Sequence, residues 1–142
     1  MDGCPFCGIA AGRIEAARVW EDDDVVAFLD RTPIREGHTL ITPRLHAEDF
    51  VQLPASVAAH IQEVGQRLAR RMKMVYRVER VAFLYTGGDL PHVHAHVVPM
   101  HEKTDITSAR YIVRPEEVVY DSSHLTTSMA ALEAVARNLR LG

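Results

Sequence analysis

The segment that most constrains the fold is residues 92–98, where three histidines alternate with apolar residues in the order His-Val-His-Ala-His-Val-Val. Because successive side chains of a β-strand point to opposite faces, this period of two predicts a strand with all three imidazoles on one face. Val93, Ala95 and Val97 would then pack against the core, on a helix. Imidazoles in such a row stand about 7 Å apart, so their protonation would place like charges side by side unless an anion or a metal lay on that face.

The residue pattern of this strand leaves three hypotheses open. The histidines are surface residues, or they bind a metal, or they act as acids, bases or nucleophiles on an anionic substrate. Imidazole is suited to both of the latter roles because its ordinary pKa lies near neutral pH.

Four further strands are predicted around this segment from short apolar runs bounded by turn residues. They cover residues 17–20, 25–30, 38–42 and 81–85. The acidic run at residues 21–24 is typical of a hairpin turn that faces water.

Two helices are predicted from apolar residues at steps of three or four. The longer covers about residues 54–75, with Pro54 in its first turn, where a missing N–H is harmless. Its polar face, which includes His60, is expected to face water. A C-terminal helix is predicted from about Met129 to near Gly142. Strands thus dominate the first hundred residues and one long helix precedes the last hairpin, which predicts an α+β fold with an approximately five-stranded, mostly antiparallel sheet.

Length and charge exclude several classes of protein. The 142 residues suit a single domain covering the whole chain, 1–142. Sixteen Lys and Arg against nineteen Asp and Glu give a net charge of −3, whereas a general nucleic-acid surface needs a basic excess. No apolar run is long enough to span a bilayer, and the first residues lack the features of a secretory signal. We therefore expect a cytoplasmic protein with neither a nucleic-acid nor a membrane partner.

The two cysteines, Cys4 and Cys7, stand at the spacing of a Cys-x-x-Cys pair. Cysteines this close together do not form a disulfide framework. A redox motif of the glutaredoxin type requires a preceding strand, and three residues are too few for one. The remaining alternatives are a metal site, which needs two more ligands, and two buried free thiols.

The histidine strand followed by Pro99 resembles the signature of the histidine triad (HIT) family of nucleotide hydrolases and transferases. Three upstream segments resemble the family in the same order: Trp-Glu-Asp-Asp at 20–23, Ala-Phe-Leu-Asp at 27–30 and His-Thr-Leu-Ile-Thr-Pro-Arg-Leu-His at 38–46. The resemblance covers about residues 4–100 and implies a HIT-like fold. Residues 101–142 match nothing specific in the family.

The resemblance implies a two-step nucleotidyl transfer with three catalytic histidines. His94 would attack the α-phosphorus of a nucleoside phosphoramidate or a dinucleoside polyphosphate, and water would then release the nucleoside monophosphate from a covalent nucleotidyl-histidine. His96 would contact the phosphoryl oxygens or protonate the leaving group. His38 would support the hydrogen-bond network of the nucleophile.

The resemblance also implies a binding site for a purine nucleotide or a nucleotide conjugate. Asp30 corresponds to the acidic residue that accepts hydrogen bonds from the ribose hydroxyls. Phe28, Ile9 and Phe6 correspond to apolar residues that line the base pocket.

The turn before the triad departs from the family pattern. Many members have Gly-Gln-Ser/Thr there, with side chains that bind the phosphates, whereas residues 87–91 read Gly-Gly-Asp-Leu-Pro. Gly88 could offer a backbone N–H to a phosphate. A carboxylate at Asp89 would repel a phosphate, so we expect it to cap the turn or pair with a cation.

Some bacterial members of the family hold a structural zinc ion, and the corresponding positions here are Cys4, Cys7, His46 and His92. All four are residue types that bind zinc. The resemblance therefore implies a zinc ion that clamps the N-terminus to the histidine strand, with His92 as a ligand and not a catalyst.

The family usually forms dimers by extending the sheet and packing the long helices, so a homodimer is expected. Two alternative functions stay open at this point. One is a metal-dependent hydrolase in which the triad holds the catalytic ion, although no Asp or Glu other than Asp89 is expected to adjoin the strand. The other is a non-catalytic nucleotide-binding module.

Overall fold

The first hundred residues form a five-stranded antiparallel sheet in a computed structural model that describes residues 3–88, 90–106, 112–114 and 119–142. Its strands are β1 (Arg18–Glu21), β2 (Val25–Leu29), β3 (Thr39–Pro43), β4 (Arg80–Leu84) and β5 (Ala95–Met100). Their order in the sheet is β1-β2-β3-β5-β4, and every neighbouring pair is antiparallel. The helices are α1 (Pro5–Ala10), α2 (Ala55–Tyr76) and α3 (Met129–Leu139). This arrangement confirms the predicted α+β fold.

Strand register determines which side chains face the site. Phe28 pairs with Leu40, and Leu40 pairs with His96, so these three side chains share one face of the sheet. The short helix α1 covers part of this face with Ile9 and Ala10. The rest of the face is left to the histidines.

The opposite face of the sheet holds the main core and is covered by α2 and α3. The buried residues there include Val25, Ala27, Ile41, Ala95 and Val97 from the sheet, Ile61, Val64, Leu68 and Met72 from α2, and Leu132, Ala136 and Leu139 from α3. The predicted packing of Ala95 and Val97 on the long helix is confirmed. Because both faces of β2 are covered, all five of its residues are buried.

Both predicted helices form within a few residues of their expected bounds. Pro54 is the N-cap of α2, and Arg77 ends this helix in the left-handed conformation with φ 53°. Gly65 lets α2 approach the sheet closely, because a Cβ there would lie 2.5 Å from the Phe83 ring. In α3 the Ser128 side chain accepts a hydrogen bond from the Ala131 N–H, which satisfies one of the free donors of the first turn.

The histidine strand differs from the prediction at both ends. β5 begins at Ala95 and not at residue 92, because the preceding N–H groups bond elsewhere: that of His92 to the Leu90 carbonyl and that of Val93 to the Ala47 carbonyl. The strand also continues through Pro99. Beyond Val97 only β4 is paired with β5, so a residue without an N–H is tolerated there.

The chain termini add structure that the sequence predicts only in outline. At the N-terminal end, the short helix α1 starts directly after Cys4. After β5, two short strands, β6 (Ile112–Arg114) and β7 (Val119–Tyr120), pair antiparallel. Across the described residues, none of the helices combines the length and the apolar character needed to traverse a bilayer.

Candidate active site and metal centre

Two cysteines and two histidines meet at the N-terminal end of α1. Sγ of Cys4 lies 3.3 Å from Nδ1 of His92, and Sγ of Cys7 lies 3.4 Å from the same atom. Sγ of Cys7 also lies 3.3 Å from Nδ1 of His46. The four ligand atoms all fall within 4.8 Å of one another. Helical geometry brings Cys7 back over Cys4, and His46 follows β3.

This cluster has the donor set and the spacing that zinc requires. A tetrahedral Zn²⁺ with Zn–S of about 2.3 Å and Zn–N of about 2.0–2.1 Å separates S from N by about 3.5 Å, close to the distances observed. His92 donates its Nε2–H to the Pro43 carbonyl, 3.0 Å away, which turns the Nδ1 lone pair towards the thiols. Burial raises the pKa of the Cys7 thiol, and a cation between the ligands would reverse that effect. The residues therefore fit a zinc ion.

His94 is buried beside this cluster, but its hydrogen is on Nδ1, whereas that of His92 is on Nε2. Its Nδ1 lies 2.8 Å from the His92 carbonyl oxygen and so carries the hydrogen. The lone pair is then on Nε2. Because the ring of His94 lies with its centroid 5.0 Å from that of His96, a bound phosphoryl group could contact both.

His96 and His38 form a chain of hydrogen bonds with a defined direction. The Ile34 N–H donates to Nδ1 of His38 over 3.1 Å, so the hydrogen of His38 is on Nε2. That N–H donates to Nδ1 of His96 over 2.9 Å. The hydrogen of His96 is consequently on Nε2, 3.2 Å from the Thr86 hydroxyl.

Burial keeps both members of this chain uncharged at neutral pH. It lowers the pKa of His96 to about 4, with a further contribution from the neighbouring His38 and His94. It also lowers the pKa of His38, against the opposing effect of the Asp30 carboxylate. The pair of His94 and His96 therefore presents one free acceptor nitrogen and one N–H donor side by side.

Asp30 adjoins this chain, contrary to the expectation that Asp89 was the only acidic residue near the histidine strand. The Asp30 N–H donates to the His38 carbonyl across the β2–β3 hairpin, which brings the two residues together. Oδ2 of Asp30 lies 3.6 Å from Nε2 of His38, and Oδ1 accepts the Thr32 N–H. Asp30, His38 and His96 thus form a second cluster of metal-ligand type.

A cavity of about 360 Å³ opens between α1, the sheet and α3, next to these histidines. Its walls include all of the residues predicted for nucleoside binding by side chain, together with the reactive pair: Phe6, Ile9, Phe28, Asp30, His94 and His96. The Phe6 ring packs edge-on against Phe28 and His94, with centroids 5.4 and 5.0 Å apart. Since Phe6 lies between the two cysteines, it connects the cysteine cluster with this cavity.

His94 and Leu90 also line a second, smaller cavity of about 160 Å³. Gly87 lines it with φ +67° at the turn before the histidines. Gly88 is exposed in the same turn. The prediction for Asp89 falls outside the described residues.

The structure corrects two sequence expectations about histidines. His92 does not join a row with His94 and His96 but turns its Nδ1 to the cysteines, because the Pro43 carbonyl holds its Nε2–H. His60 does not simply face water: its Nε2 lies 2.6 Å from Oδ2 of Asp22, which raises the pKa of His60. Asp22 in turn accepts hydrogen bonds within the hairpin turn, so the acidic run is not entirely solvated.

Two contacts of the site were missed from the sequence. One is the Thr86 hydroxyl beside Nε2 of His96, for which the only sequence signal is the position of Thr86 before the Gly-Gly turn. The Ile34 N–H, which orients His38, leaves no signal in the sequence because any residue but proline supplies it.

The antiparallel sheet thus carries the paired His94 and His96 rings beside a cavity of about 360 Å³. The HIT domain model matches residues 11–103, more than half of the chain. The chain therefore belongs to the histidine triad family.

Relatives of this chain include bacterial and fungal members of the family. An uncharacterized HIT-like protein of Mycobacterium tuberculosis is 29% identical over 142 residues, which cover 95% of this chain and 99% of that protein. A zinc-bound histidine triad family protein of Mycobacterium smegmatis is similar in structure with a TM-score of 0.69 and 29% identity, covering 96% and 95% of the two chains. A histidine triad nucleotide-binding protein of Candida albicans aligns with a TM-score of 0.65 and 28% identity over 71% and 77%.

Proposed function

We propose that this protein is a nucleotide hydrolase or nucleotidyl transferase that cleaves the α-phosphate linkage of a nucleoside phosphoramidate or dinucleoside polyphosphate. The observation that supports it is the pairing of a free Nε2 lone pair on His94 with an Nε2–H on His96, next to a cavity of about 360 Å³. A nucleophile and a donor for phosphoryl oxygens are the two elements that such a displacement requires.

In the first step Nε2 of His94 attacks the α-phosphorus. A P–N bond forms, the bond from phosphorus to the leaving atom breaks, and its electron pair goes to the leaving atom, which takes a proton from solvent water. The His92 carbonyl holds the Nδ1–H and stabilises the positive charge that develops on the ring. The His96 N–H stabilises negative charge on the phosphoryl oxygens and the leaving atom.

In the second step water attacks the phosphorus of nucleotidyl-His94. The P–Nε2 bond breaks with its electrons returning to the ring, the water loses its proton to solvent, and the nucleoside monophosphate is released. Dividing the displacement into two steps lowers each barrier, because a cationic imidazole is a good leaving group. His38 acts by keeping the hydrogen of His96 on Nε2.

The nucleoside portion would occupy the larger cavity. Oδ2 of Asp30 is available to accept from the ribose hydroxyls, while Oδ1 is held by Thr32. Phe6, Ile9 and Phe28 offer an apolar lining for a purine base. The nucleotide-binding relative from Candida albicans supports this class of ligand.

Cys4, Cys7, His46 and His92 would hold a structural zinc ion, and the zinc-bound relative from Mycobacterium smegmatis supports this assignment. The ion would supply a tetrahedral clamp between α1 and the segment before β5. Through the same helix it would keep Phe6 against His94.

The hydrogen bonds of His38 argue against a metal-dependent mechanism on the second cluster. Its Nδ1 accepts from Ile34 and its Nε2 donates to His96, so neither nitrogen retains a lone pair for a metal. Full turnover after chelation, with zinc still present at the cysteine cluster, would support the metal-free mechanism. Turnover restored in proportion to an added second ion would contradict it.

The covalent intermediate is the direct test of the proposal. We expect an acid-labile nucleotidyl adduct on wild-type protein quenched during turnover, located on His94 by peptide mass spectrometry. A non-catalytic nucleotide-binding module would instead bind nucleotide without product or adduct.

We further propose that each chain forms one HIT domain and that two chains associate as a homodimer. Sedimentation equilibrium at micromolar concentration should give twice the chain mass. A monomer at all concentrations would contradict the dimer without affecting the proposed chemistry.

A further inference from the structure

A buried carboxylate in the loop after β5 is not used by the proposed mechanism. Asp105 is 2% exposed, and its Oδ2 accepts the N–H groups of His101 and Glu102 over 2.9 and 3.0 Å. These bonds fix the carboxylate to the end of β5. Its Oδ1 accepts a hydrogen bond of 2.8 Å from Nη2 of Arg35. Asp105 lies just beyond residues 11–103, the segment that the HIT domain model matches.

Arg35 and Asp105 form an ion pair that is largely withdrawn from water. The Arg35 side chain is 24% exposed and that of Asp105 is 3% exposed. Burial by itself raises the pKa of the Asp105 carboxyl, but hydrogen bonds from Arg35 and from two backbone N–H groups lower it overall, so the pair is charged at neutral pH. Water screens such a pair less than a surface pair, and its hydrogen bond is charge-assisted. The ion pair therefore joins the loop between β2 and β3 to the end of β5.

Arg35 directly follows the residue whose amide orients His38. The Ile34 N–H donates to Nδ1 of His38 over 3.1 Å, and the Arg35 carbonyl accepts the His38 N–H over 3.0 Å. The turn at residues 34–38 thus contacts the histidine from two sides, and the Arg35 side chain anchors this turn to Asp105. Loss of the anchor would let the Ile34 amide move away from the imidazole.

The direction of the hydrogen-bond chain between His38 and His96 depends on this amide. While the Ile34 N–H occupies Nδ1 of His38, the hydrogen of His38 is confined to Nε2 and is donated to Nδ1 of His96. If the amide moves away, His38 can carry its hydrogen on Nδ1 and accept on Nε2 from His96. The hydrogen of His96 would then be on Nδ1, and its Nε2 would no longer donate to phosphoryl oxygens.

We infer that Arg35 and Asp105 are positioning residues for the proposed reaction: their ion pair holds the Ile34 amide on His38 and so keeps the hydrogen of His96 on Nε2. The inference rests on the proposed function. Neither Arg35 nor Asp105 lines the cavity of about 360 Å³, so both act through His38 and not by contact with the nucleoside.

Charge-neutral variants of the pair test its effect on the turnover of adenosine 5′-phosphoramidate. Arg35→Gln and Asp105→Asn should each lower kcat about tenfold, with KM within about twofold of the wild type. This loss is smaller than that expected for replacement of the histidine itself, because the turn also packs on Tyr76 through Gly37, where a Cβ would lie 2.7 Å from the Tyr76 hydroxyl. The double variant should be no slower than the slower single variant, because the two residues act as a unit.

Two further variants separate the ion pair from a general effect of losing an arginine. Arg35→Lys keeps the charge and a donor for Asp105, so it should retain at least about half of the wild-type kcat. Arg140→Gln removes an exposed ion pair with Glu133, 3.1 Å long, and is the matched control. It should leave kcat unchanged.

The imidazole nitrogens give the readout that a purely structural role would not change. In protein labelled with ¹⁵N-histidine, the chemical shift of each ring nitrogen shows whether it carries a hydrogen. In the wild type we expect the hydrogens of His38 and His96 on Nε2. In Arg35→Gln and Asp105→Asn, part of the His96 population should carry the hydrogen on Nδ1, and Arg35→Lys should keep the wild-type signals. This measurement needs no substrate.

Turnover and imidazole signals have to change together for the inference to hold. If Arg35→Gln and Asp105→Asn only lower the melting temperature, or change kcat or the imidazole signals alone, the pair has another role and the inference is wrong. The same follows if His38 of the wild type carries its hydrogen on Nδ1. If Asp105→Asn does not fold, the two Arg35 variants decide. If the wild type cleaves no nucleoside phosphoramidate or dinucleoside polyphosphate, the proposed function fails, whereas the imidazole signals still decide whether the pair orients the histidines.

Discussion

His92 and His94 are two residues apart, yet the fold uses their rings in opposite ways. His92 donates from Nε2 to the Pro43 carbonyl and turns Nδ1 to the cysteines. His94 donates from Nδ1 to the His92 carbonyl and keeps Nε2 free. A different backbone carbonyl holds the ring hydrogen in each case. The free nitrogen of His92 is therefore Nδ1, placed to bind a metal, and that of His94 is Nε2, placed to act as a nucleophile. The hydrogen-bond partner of one ring nitrogen therefore decides what the other nitrogen of the imidazole can do.

The surroundings of the two rings reinforce this difference. His92 is fully buried among thiols and His46, a set that suits a soft divalent cation. His94 borders two cavities and packs beside His96, whose ring is uncharged at neutral pH. Phe6 contacts both rings, with centroids 5.9 Å from His92 and 5.0 Å from His94.

The largest expected effect is the loss of turnover when His94 is replaced. His94→Ala should lower kcat about 10⁴-fold or more, because removal of a nucleophile eliminates the covalent route. Zinc content and melting temperature should stay close to wild type, measured by elemental analysis and differential scanning calorimetry. An adduct or undiminished turnover in this variant would contradict the assignment of the nucleophile.

Removal of a cysteine should affect zinc binding and stability more than turnover. Cys7→Ser is expected to abolish zinc binding and to lower the free energy of unfolding by about 3–5 kcal/mol, since the clamp between α1 and the sheet is lost. Urea denaturation with and without added zinc measures this. We expect KM to rise more than kcat falls, because Phe6 loses its support. If the wild-type protein binds no zinc and Cys7→Ser is as stable as the wild type, the cluster consists of two free thiols and two imidazoles without a metal.

An intermediate effect is expected for the hydrogen-bond chain that orients His96. His38→Asn should lower kcat about 10²-fold with little change in KM, because His96 no longer has its hydrogen confined to Nε2. Zinc content should be unaffected, which separates this variant from Cys7→Ser. A variant with normal kcat and a normal pH profile would mean that His38 has only a packing role.

The buried, uncharged state of His96 predicts a pH dependence of stability. Its pKa is about 4 in the folded protein and about 6.5 in the unfolded chain, so between these values the unfolded state binds more protons. Stability is therefore lost as the pH falls from about 6.5 to 4, by up to about 3 kcal/mol from this group. His96→Asn should lose less stability than wild type over the same window in urea denaturation. Zinc release affects both proteins, so an equal loss in the two would refute the prediction.

The smallest effect is expected for His60, a histidine outside both clusters. Its pKa is raised by Asp22, so its contribution is present below the ordinary pKa and disappears as the pH rises through the folded value. His60→Asn should cost about 0.5–1 kcal/mol at pH 6 and less at pH 9. Neither zinc content nor kcat should change. A large loss of turnover would show that the functional difference is not confined to His92 and His94.

Particular residues show how far the sequence predicts this site. The alternation in 92–98 predicts that Ala95 and Val97 face the core, and the sheet confirms it. The first three residues of the alternation, 92–94, precede β5, and the carbonyl groups of Leu90 and Ala47 accept the N–H groups of His92 and Val93. The closeness of Asp30 to His38 follows from hairpin register, which short apolar runs do not specify to the residue.

Hydrophobic period and turn chemistry are local properties, so the residue pattern predicts the main strands and helices and the α+β class. The residues expected at each cluster came from the resemblance to the HIT family. The folded structure is needed to see which nitrogen of each histidine is free, that His60 contacts Asp22, and that a second cavity adjoins His94. These depend on partners that lie far away in the chain, such as Pro43 for His92 and Ile34 with Asp30 around His38. Hydrogen bonds of this kind are set by the packing of whole elements, and no local pattern of residues encodes them.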